Sequence, residues 1–404
     1  MSVTKKILLI LLCLPMIGLG QNVNIPDANF KAYLVGNTAI NTNGDSEIQV
    51  SEAIVFNGAI DCDNLNISDL TGIADFTVLT ELDCNNNNLT SFDVSQNTSL
   101  TQLYCANNQL TSLDINAATA LNVVQCQNND LTSLDISNNT SLTFLYCSGN
   151  SLTNLDVSNN IDLLLLTCHS NYLTSIDVSG APALTSLNCD WNQLTSLDVS
   201  NNTALTSLNC AGNQLTTLNV SNNTALTTLH CDNNQLTSLD VSTNTALTTL
   251  HCYLNQLTIL DISNDTDLIE LSCYFNQLTS LDVSNNTALN ALYCSNNNLT
   301  MLDVRNGNNT NFSVINYSFN AKNNPNLYCI DVDNVAWSNA NWINIDAWAS
   351  FGTNCSTTSV LEHTTNRDLL KVTDLLGRET KGTKNEPLFY IYNDGTVEKK
   401  IIIE

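Results

Sequence analysis

Cysteine, asparagine, aspartate and histidine are the residues of this chain that could do chemistry, and the first three are periodic. Cysteine stands every 21 residues, at Cys84, Cys105, Cys126, Cys147, Cys168, Cys189, Cys210, Cys231, Cys252, Cys273 and Cys294, with Cys62 one residue out of step. An asparagine follows each of those eleven in-phase cysteines three residues later, from Asn87 to Asn297. Aspartate recurs at 93, 114, 135, 156, 177, 198, 240, 261, 282 and 303, with Asn219 the exception. There are four histidines, His169, His230, His251 and His363. No Cys-x-x-Cys is present to suggest a zinc ribbon, and no Gly-x-Ser-x-Gly or His-Glu-x-x-His occurs. With glycine also scarce for cradling phosphate, no enzymatic activity is expected.

A second chemical candidate lies near the start. Asn41-Thr42-Asn43-Gly44-Asp45-Ser46-Glu47-Ile48-Gln49-Val50-Ser51-Glu52 matches the twelve-residue EF-hand calcium loop in register. Asn41, Asn43 and Asp45 fall at positions 1, 3 and 5, Glu47 would give a backbone carbonyl, and Glu52 stands at position 12. Asn at the first position and Ser46 in place of the turn glycine depart from the pattern. The loop reads either as a site for one Ca²⁺ or as an Asn-rich turn between two short helices.

The elements that position these residues follow from the period. Each unit divides into Leu-x-x-Leu-x-Cys-x-x-Asn-x and Leu-x-x-Leu-x-Val-x-x-Asn-x-x, as in Leu194 to Gln214. Triplets such as Leu208-Asn209-Cys210 and Leu218-Asn219-Val220 alternate inward and outward, so each half predicts one short strand. One coil cannot bury its own leucines, but coils stacked at roughly 4.8 Å form two parallel sheets around a continuous core. About twelve such coils, residues 60–320, would make a rod roughly 55 Å long by that spacing. The recurrent asparagine is expected to satisfy backbone groups where the chain leaves the strand. Parallel in-register cysteines would hold their Cβ atoms roughly 4.8 Å apart on parallel vectors, outside favourable disulfide geometry. They are expected to be buried free thiols that behave as small hydrophobes.

The pattern Leu-x-x-Leu-x-Cys-x-x-Asn-x-Leu resembles the leucine-rich repeat, specifically the short two-strand repeats of secreted bacterial proteins. The resemblance implies a mainly β, right-handed solenoid that binds a partner and performs no catalysis. Cysteine at the third apolar position is this chain's own variation.

The flanks differ from the repeats. Lys5 and Lys6, an apolar run from Ile7 to Leu19, and Gly18 and Gly20 before Gln21 read as a secretory signal peptide over 1–20. Residues 21–59 form a predicted helical cap that includes the calcium-like loop, with Phe30, Tyr33 and Leu34 on one stripe after Pro26. A closing cap is expected over 321–356, with Trp337, Trp342 and Trp348 covering the last coil and a disulfide between Cys329 and Cys355. The segment 357–404 holds seven of the chain's twelve basic residues. Its strand-like runs, with Asn393-Asp394-Gly395 as a turn, resemble the carboxy-terminal sorting domain of type IX secretion and predict a small antiparallel sheet.

Charge limits the partners. Between Gln21 and Leu361 there are 30 acidic side chains against Lys31, Arg305 and Lys322, which disfavours nucleic acid and anionic membrane. Aspartates stacked in neighbouring coils would repel by roughly 0.9 kcal/mol per pair in water. Bonds to serine, threonine or turn amides could offset that, and so could a row of bound cations.

The variable positions around each cysteine carry Trp191, His230, His251, Tyr253, Leu254, Tyr274, Phe275 and Tyr293, with Tyr104, Tyr146 and His169 nearer the start. Such a concentration is the expected contact surface for a protein or glycan, although stacked aromatic neighbours could merely stabilise adjacent strands. A metal held by His230, His251 and Asp232 is a further alternative. The expected protein is a monomer, secreted and displayed on a bacterial outer surface, with no transmembrane segment once the signal is removed. An accessory grip on polysaccharide and a plain structural spacer are the competing readings.

Overall fold

The computed structural model describes residues 21–312, 318–355, 369–373, 378–380, 387–392 and 397–401. The signal-like segment 1–20 and the turn at 393–395 lie outside the described residues. The chain forms two compact units, 1–353 and 354–404.

In the first unit, helix α1 (Ala28–Gly36) opens the cap, and the Asp27 carboxylate accepts the N–H groups of Asn29 and Phe30 to cap it. Phe30 and Leu34 are fully buried against the first coil. Helix α2 (Val50–Ala53) follows and opens with a capping box, Glu52 accepting the N–H of the N-cap Gln49. Strand β1 (Ala59–Asp61) then starts a thirteen-stranded parallel sheet, one three-residue strand per coil. The register never slips. Leu208 pairs with Leu229 and Leu229 with Leu250, so leucine stacks on leucine along most of the sheet, with Ile60, Val124 and Phe319 at the same position in three strands. In one coil Leu205, Leu208, Cys210, Leu215, Leu218 and Val220 all point inward, none more than 8% exposed. Each buried leucine contributes about 1.5–3 kcal/mol relative to exposure.

The twelve cysteines from Cys62 to Cys294 are free and buried. Burial raises their thiols, to about 12 for Cys126 and Cys294, because a thiolate in the apolar interior would lose its hydration. The ladder runs one rung beyond the last cysteine. Phe319–Asn320 pairs with the strand of Tyr293, and Ala321 takes the cysteine's place.

The second halves of the coils behave differently from the expectation of a full second sheet. Regular pairing there is confined to Ser280–Asp282, Met301–Asp303, Cys329–Asp331 and Ser350–Gly352. Earlier coils show only isolated bridges, Asp156 to Asp177 and Asp198 to Asn219. Ladder hydrogen bonds near 2.8 Å hold the coils together on the cysteine side, as from Cys210 N–H to the His230 carbonyl. In the second halves the inter-coil backbone bonds of the earlier coils fall instead just before the strand positions, as from Gln214 N–H to the Leu194 carbonyl at 2.9 Å.

Asparagine supplies further links on that side. Asn97, Asn139, Asn160, Asn202, Asn223, Asn244 and Asn286 are completely buried. Each sends its Nδ2 to two carbonyls of the preceding coil, as Asn244 does to Val220 (3.0 Å) and Asn223 (2.9 Å).

At the far end of this unit Trp342 is buried and stacks on Phe319, ring centroids 4.0 Å apart, with Phe312, Trp337 and Phe351 edge-on around it. Trp348 is half exposed and stands outside that cluster, so the plug is built from one tryptophan fewer than expected. Cys329 and Cys355 form the disulfide. Within the second unit, Leu369–Thr373, Pro387–Tyr392 and Val397–Ile401 make the antiparallel sheet.

Asp265 replaces asparagine in the buried ladder. Its side chain is 0% exposed and neither carboxylate oxygen has a hydrogen-bond partner. At this position a donor is needed, and an ionised carboxylate has none. Burial first, and then the charge of Asp261, raise its pKa from 3.8 to about 7. A raised folded-state value means that its contribution to stability is complete below about pH 4 and is lost as pH rises to about 7. Replacing Asp265 by Asn should therefore stabilise the protein at pH 8 by about 1–3 kcal/mol and flatten its pH dependence in that window. Thermal melts of both proteins from pH 4 to 8 test this, and parallel curves would refute it.

Candidate functional site

The cysteine-side strands place their outward residues on one continuous face, and asparagine fixes how the chain leaves it. In the coil of Cys210, Asn213 Nδ2 donates to the carbonyls of Cys189, Cys210 and Ala211, each at 3.1 Å. Its Oδ1 accepts the Leu194 N–H at 2.9 Å. One side chain thus satisfies four backbone groups in two coils, as expected for the turn.

The residue between this asparagine and the one after cysteine takes a left-handed backbone in every coil. Ser170 is small, and at Asn64, Asn86, Asn107, Asn128, Gly149, Gly212, Asn233, Asn296 and Asn323 the residue is of a type that tolerates it. Trp191 (φ 49°), Leu254 (φ 52°) and Phe275 (φ 52°) are not. Bulky side chains in this region cost on the order of 1 kcal/mol or more each. No burial offsets the cost, since Trp191 is 62% exposed, Leu254 42% and Phe275 50%. Their position was visible in the sequence. Its left-handed geometry was signalled only by the Asn and Gly bias of the other coils.

Beside them the other predicted residues come together. His230 and His251 stack with centroids 4.3 Å apart, and Tyr253 and Tyr274 stack at 4.3 Å. Tyr253 leans on His251 and Phe275 meets Tyr274 edge-on. Burial, and then the adjacent His251, hold the His230 imidazole below its ordinary pKa. His251 Nε2 lies 3.0 Å from Glu270. Tyr293 is on the next strand, half-buried, in register with Ser272. Burial raises Asp232 although the Tyr253 hydroxyl bonds it, and burial likewise raises Asp190 against the pull of His169 and Asn209. Val123, Phe144 and Leu165, in register and half-buried on the same face, were not singled out from the sequence. Their signal was an apolar residue directly before the central leucine.

The aspartate column is of another kind. Each Oδ1 accepts the N–H two residues on, as Asp198 does from Ser200 at 2.9 Å. Asn219 makes the same bond to Ser221, so the position requires an acceptor and not a charge. Backbone N–H bonds hold Asp93, Asp135, Asp156 and Asp261 below the ordinary carboxylate range, and serine hydroxyls do so for Asp177, Asp198 and Asp240. Hydrogen bonding to the turn thus offsets the repulsion. Among the described residues no group of three or more His, Cys, Asp and Glu side chains could hold a metal ion.

In the cap loop, Asn41 Oδ1 accepts the Gly44 N–H, Asn43 Oδ1 that of Asp45, and Asp45 Oδ1 that of Glu47. Glu52 Oε1 accepts from Thr42 and Asn43, and its Oε2 from Gln49. The Glu47 carboxylate holds Lys31 at 2.7 Å. The left-handed residue is Gly44 (φ 71°), two positions before Ser46.

Comparison with known proteins places this architecture. Residues 47–160 match the model of the leucine-rich repeat domain of the endo-beta-N-acetylglucosaminidase EndoS. The functional domain of InlJ from Listeria monocytogenes, which includes a cysteine ladder, is 30% identical over 95% of this chain and 98% of that one, with a TM-score of 0.56. An internalin of the same organism, InlF, shares the fold at 21% identity over 82% of this chain and 98% of that one, with a TM-score of 0.66. A leucine-rich repeat protein of Leptospira interrogans is 26% identical over 68% and 77% of the two chains, with a TM-score of 0.58. No curated protein sequence matches the chain. The chain belongs to the internalin-type leucine-rich repeat proteins. Among the described residues no helix is long and apolar enough to cross a membrane.

If Leu254 and Phe275 are held in left-handed backbone against their preference, Leu254→Asn and Phe275→Asn should each raise stability, by about 1 kcal/mol. Denaturant unfolding measures this. A loss of stability in both variants would show that the two side chains are there for packing.

Proposed function

We propose that this protein is a secreted binding module, displayed on a bacterial surface, that engages a macromolecular partner through the aromatic part of its cysteine-side sheet. The observation that carries this reading is the placement of Trp191, Leu254 and Phe275. Three large apolar groups are exposed on backbone that disfavours them, next to the stacked Tyr253 and Tyr274. Stability given up for exposed apolar surface is expected where that surface meets a partner. The 30% identity to the functional domain of InlJ supports a binding role for this kind of solenoid.

The match to a glycosidase's repeat domain favours a second reading, a grip on glycan by the same rings. In either case the chain performs no catalysis of its own. We assign the sorting-like tail 357–404 to surface delivery through type IX secretion and outer-membrane attachment, which fractionation of cells expressing a chain cut after Cys355 reads directly. Asn41, Asn43, Asp45, Glu47 and Glu52 are proposed to hold one Ca²⁺ in the cap, and calorimetric titration of the protein beside Glu52→Gln measures it. The binding reading is tested with Tyr253→Ser combined with Tyr274→Ser in a protein of unchanged melting temperature. Attachment to the partner, screened over surface proteins and glycans, should fall at least about tenfold. Undiminished attachment would place recognition on the aspartate-bearing side.

A further inference from the structure

The same face restricts the chemistry of its partner. No lysine or arginine occurs between Lys31 and Arg305, so on this part of the sheet face histidine alone can offset acidic groups, as His251 does beside Glu270 and His169 beside Asp190. Asp190, Ala211 and Asp232 follow the cysteines of three successive coils, whose strands pair in strict register. Two rungs separate the carboxylates, roughly 10 Å by strand spacing, with Ala211 on the coil between them and the Asn209 amide of that coil turned to Asp190.

The wall of this notch is Trp191. A Cβ on Gly212 would lie 2.9 Å from the indole Cδ2, so the ring lies across the neighbouring coil's glycine. Asp190 Oδ2 accepts from Asn209 at 3.0 Å, but its Oδ1 is buried and has no hydrogen-bond donor. The His169 ring, 3.8 Å away, is the nearest charged partner it could have. Asp232 is 6% exposed. A neutral ligand laid over these carboxylates would strip their remaining water and return nothing. A guanidinium can fork to carboxylates on both sides, and its flat stem suits an indole face.

We propose that this face binds a basic protein segment, seating an arginine or lysine side chain over Ala211 between Asp190 and Asp232 with its stem along Trp191. Tyr253, Tyr274 and Phe275, two to four coils further on, receive other side chains of the same segment, and Glu270 supplies a third carboxylate. The proposal rests on the binding reading above and adds the partner's charge to it.

The test uses the full chain and three probes in calorimetry at 150 mM salt: an alternating Gly-Arg decapeptide, its Gly-Gln counterpart, and chitin and mannan hexasaccharides. The arginine peptide should bind and the glutamine peptide should not. Asp190→Asn with Asp232→Asn should weaken arginine-peptide binding about tenfold or more, and Trp191→Ser should do likewise. Asp135→Asn with Asp156→Asn removes the same charge from the aspartate column, more than a Debye length of about 8 Å away, and should change binding less than about twofold. Circular dichroism melts confirm that each variant is folded. Equal weakening by the two aspartate pairs would overturn the proposal, because the peptide would then be reading only the overall negative charge. Saccharide binding lost in Trp191→Ser, with arginine-peptide binding absent or indifferent to the face variants, would overturn the basic partner yet leave the face as the binding surface. No probe sensitive to any variant of the face would overturn both.

Discussion

Everything in the solenoid depends on one side-chain amide. The asparagine three residues after each cysteine donates to carbonyls of its own coil and of the coil before, and accepts an N–H of that earlier coil. Aspartate lacks the donors for this arrangement, and glutamine would place them one methylene too far. The bond pattern joins residues 19 and 24 positions apart, so a coil of any other length would leave several buried backbone groups unpaired. The period is therefore a hydrogen-bonding requirement before it is a packing one. Hydrophobic stacking then follows, since identical coil lengths put leucine above leucine.

Cysteine fits the space that this turn leaves. It is small, fully buried and tolerant of an apolar interior. Ala321 occupies the equivalent position in the thirteenth strand without interrupting the sheet. What the position needs is limited volume, and no sulfur chemistry is required of it. The raised thiol pKa values agree, because a buried thiol that stays protonated is a poor nucleophile. Oxidation is reserved for Cys329 and Cys355, outside the row.

The repeat, the cap helix and the disulfide were legible because periodicity and leftover cysteines report directly on them. Three features were not. The thirteenth strand was hidden by alanine in place of cysteine and by a longer connection after Cys294, both of which break the pattern that a reader follows. The second sheet looked as regular as the first in the sequence, yet its strands pair continuously only from Ser280 onward, and the repeat itself gives no sign of that change. Left-handed backbone at Trp191, Leu254 and Phe275 is set by the asparagine that follows, so the three residues themselves give no sign of it. The candidate face could thus be located from residue types, while the left-handed backbone beneath three of its side chains could not.

Two populations of aspartate separate structure from recognition. On the opposite side each carboxylate accepts the N–H two residues on, and these bonds with the serine hydroxyls hold Asp93, Asp135, Asp156, Asp177, Asp198, Asp240 and Asp261 below the ordinary range; Asn219 can stand in because the fold asks only for an acceptor. On the sheet face Asp190 and Asp232 are raised by burial, and no turn depends on them for its closure. The first group is stabilised by the charge it carries, whereas the second is penalised for it. A folded protein keeps a buried carboxylate that its own donors satisfy only in part, as Asn209 does for Asp190 and Tyr253 for Asp232, where something outside the fold completes the compensation or where neutral drift has not yet removed it. Asp190 and Asp232 stand in register on either side of Ala211, with Trp191 on left-handed backbone on the same face, and each of the three costs stability separately, which makes drift the weaker account.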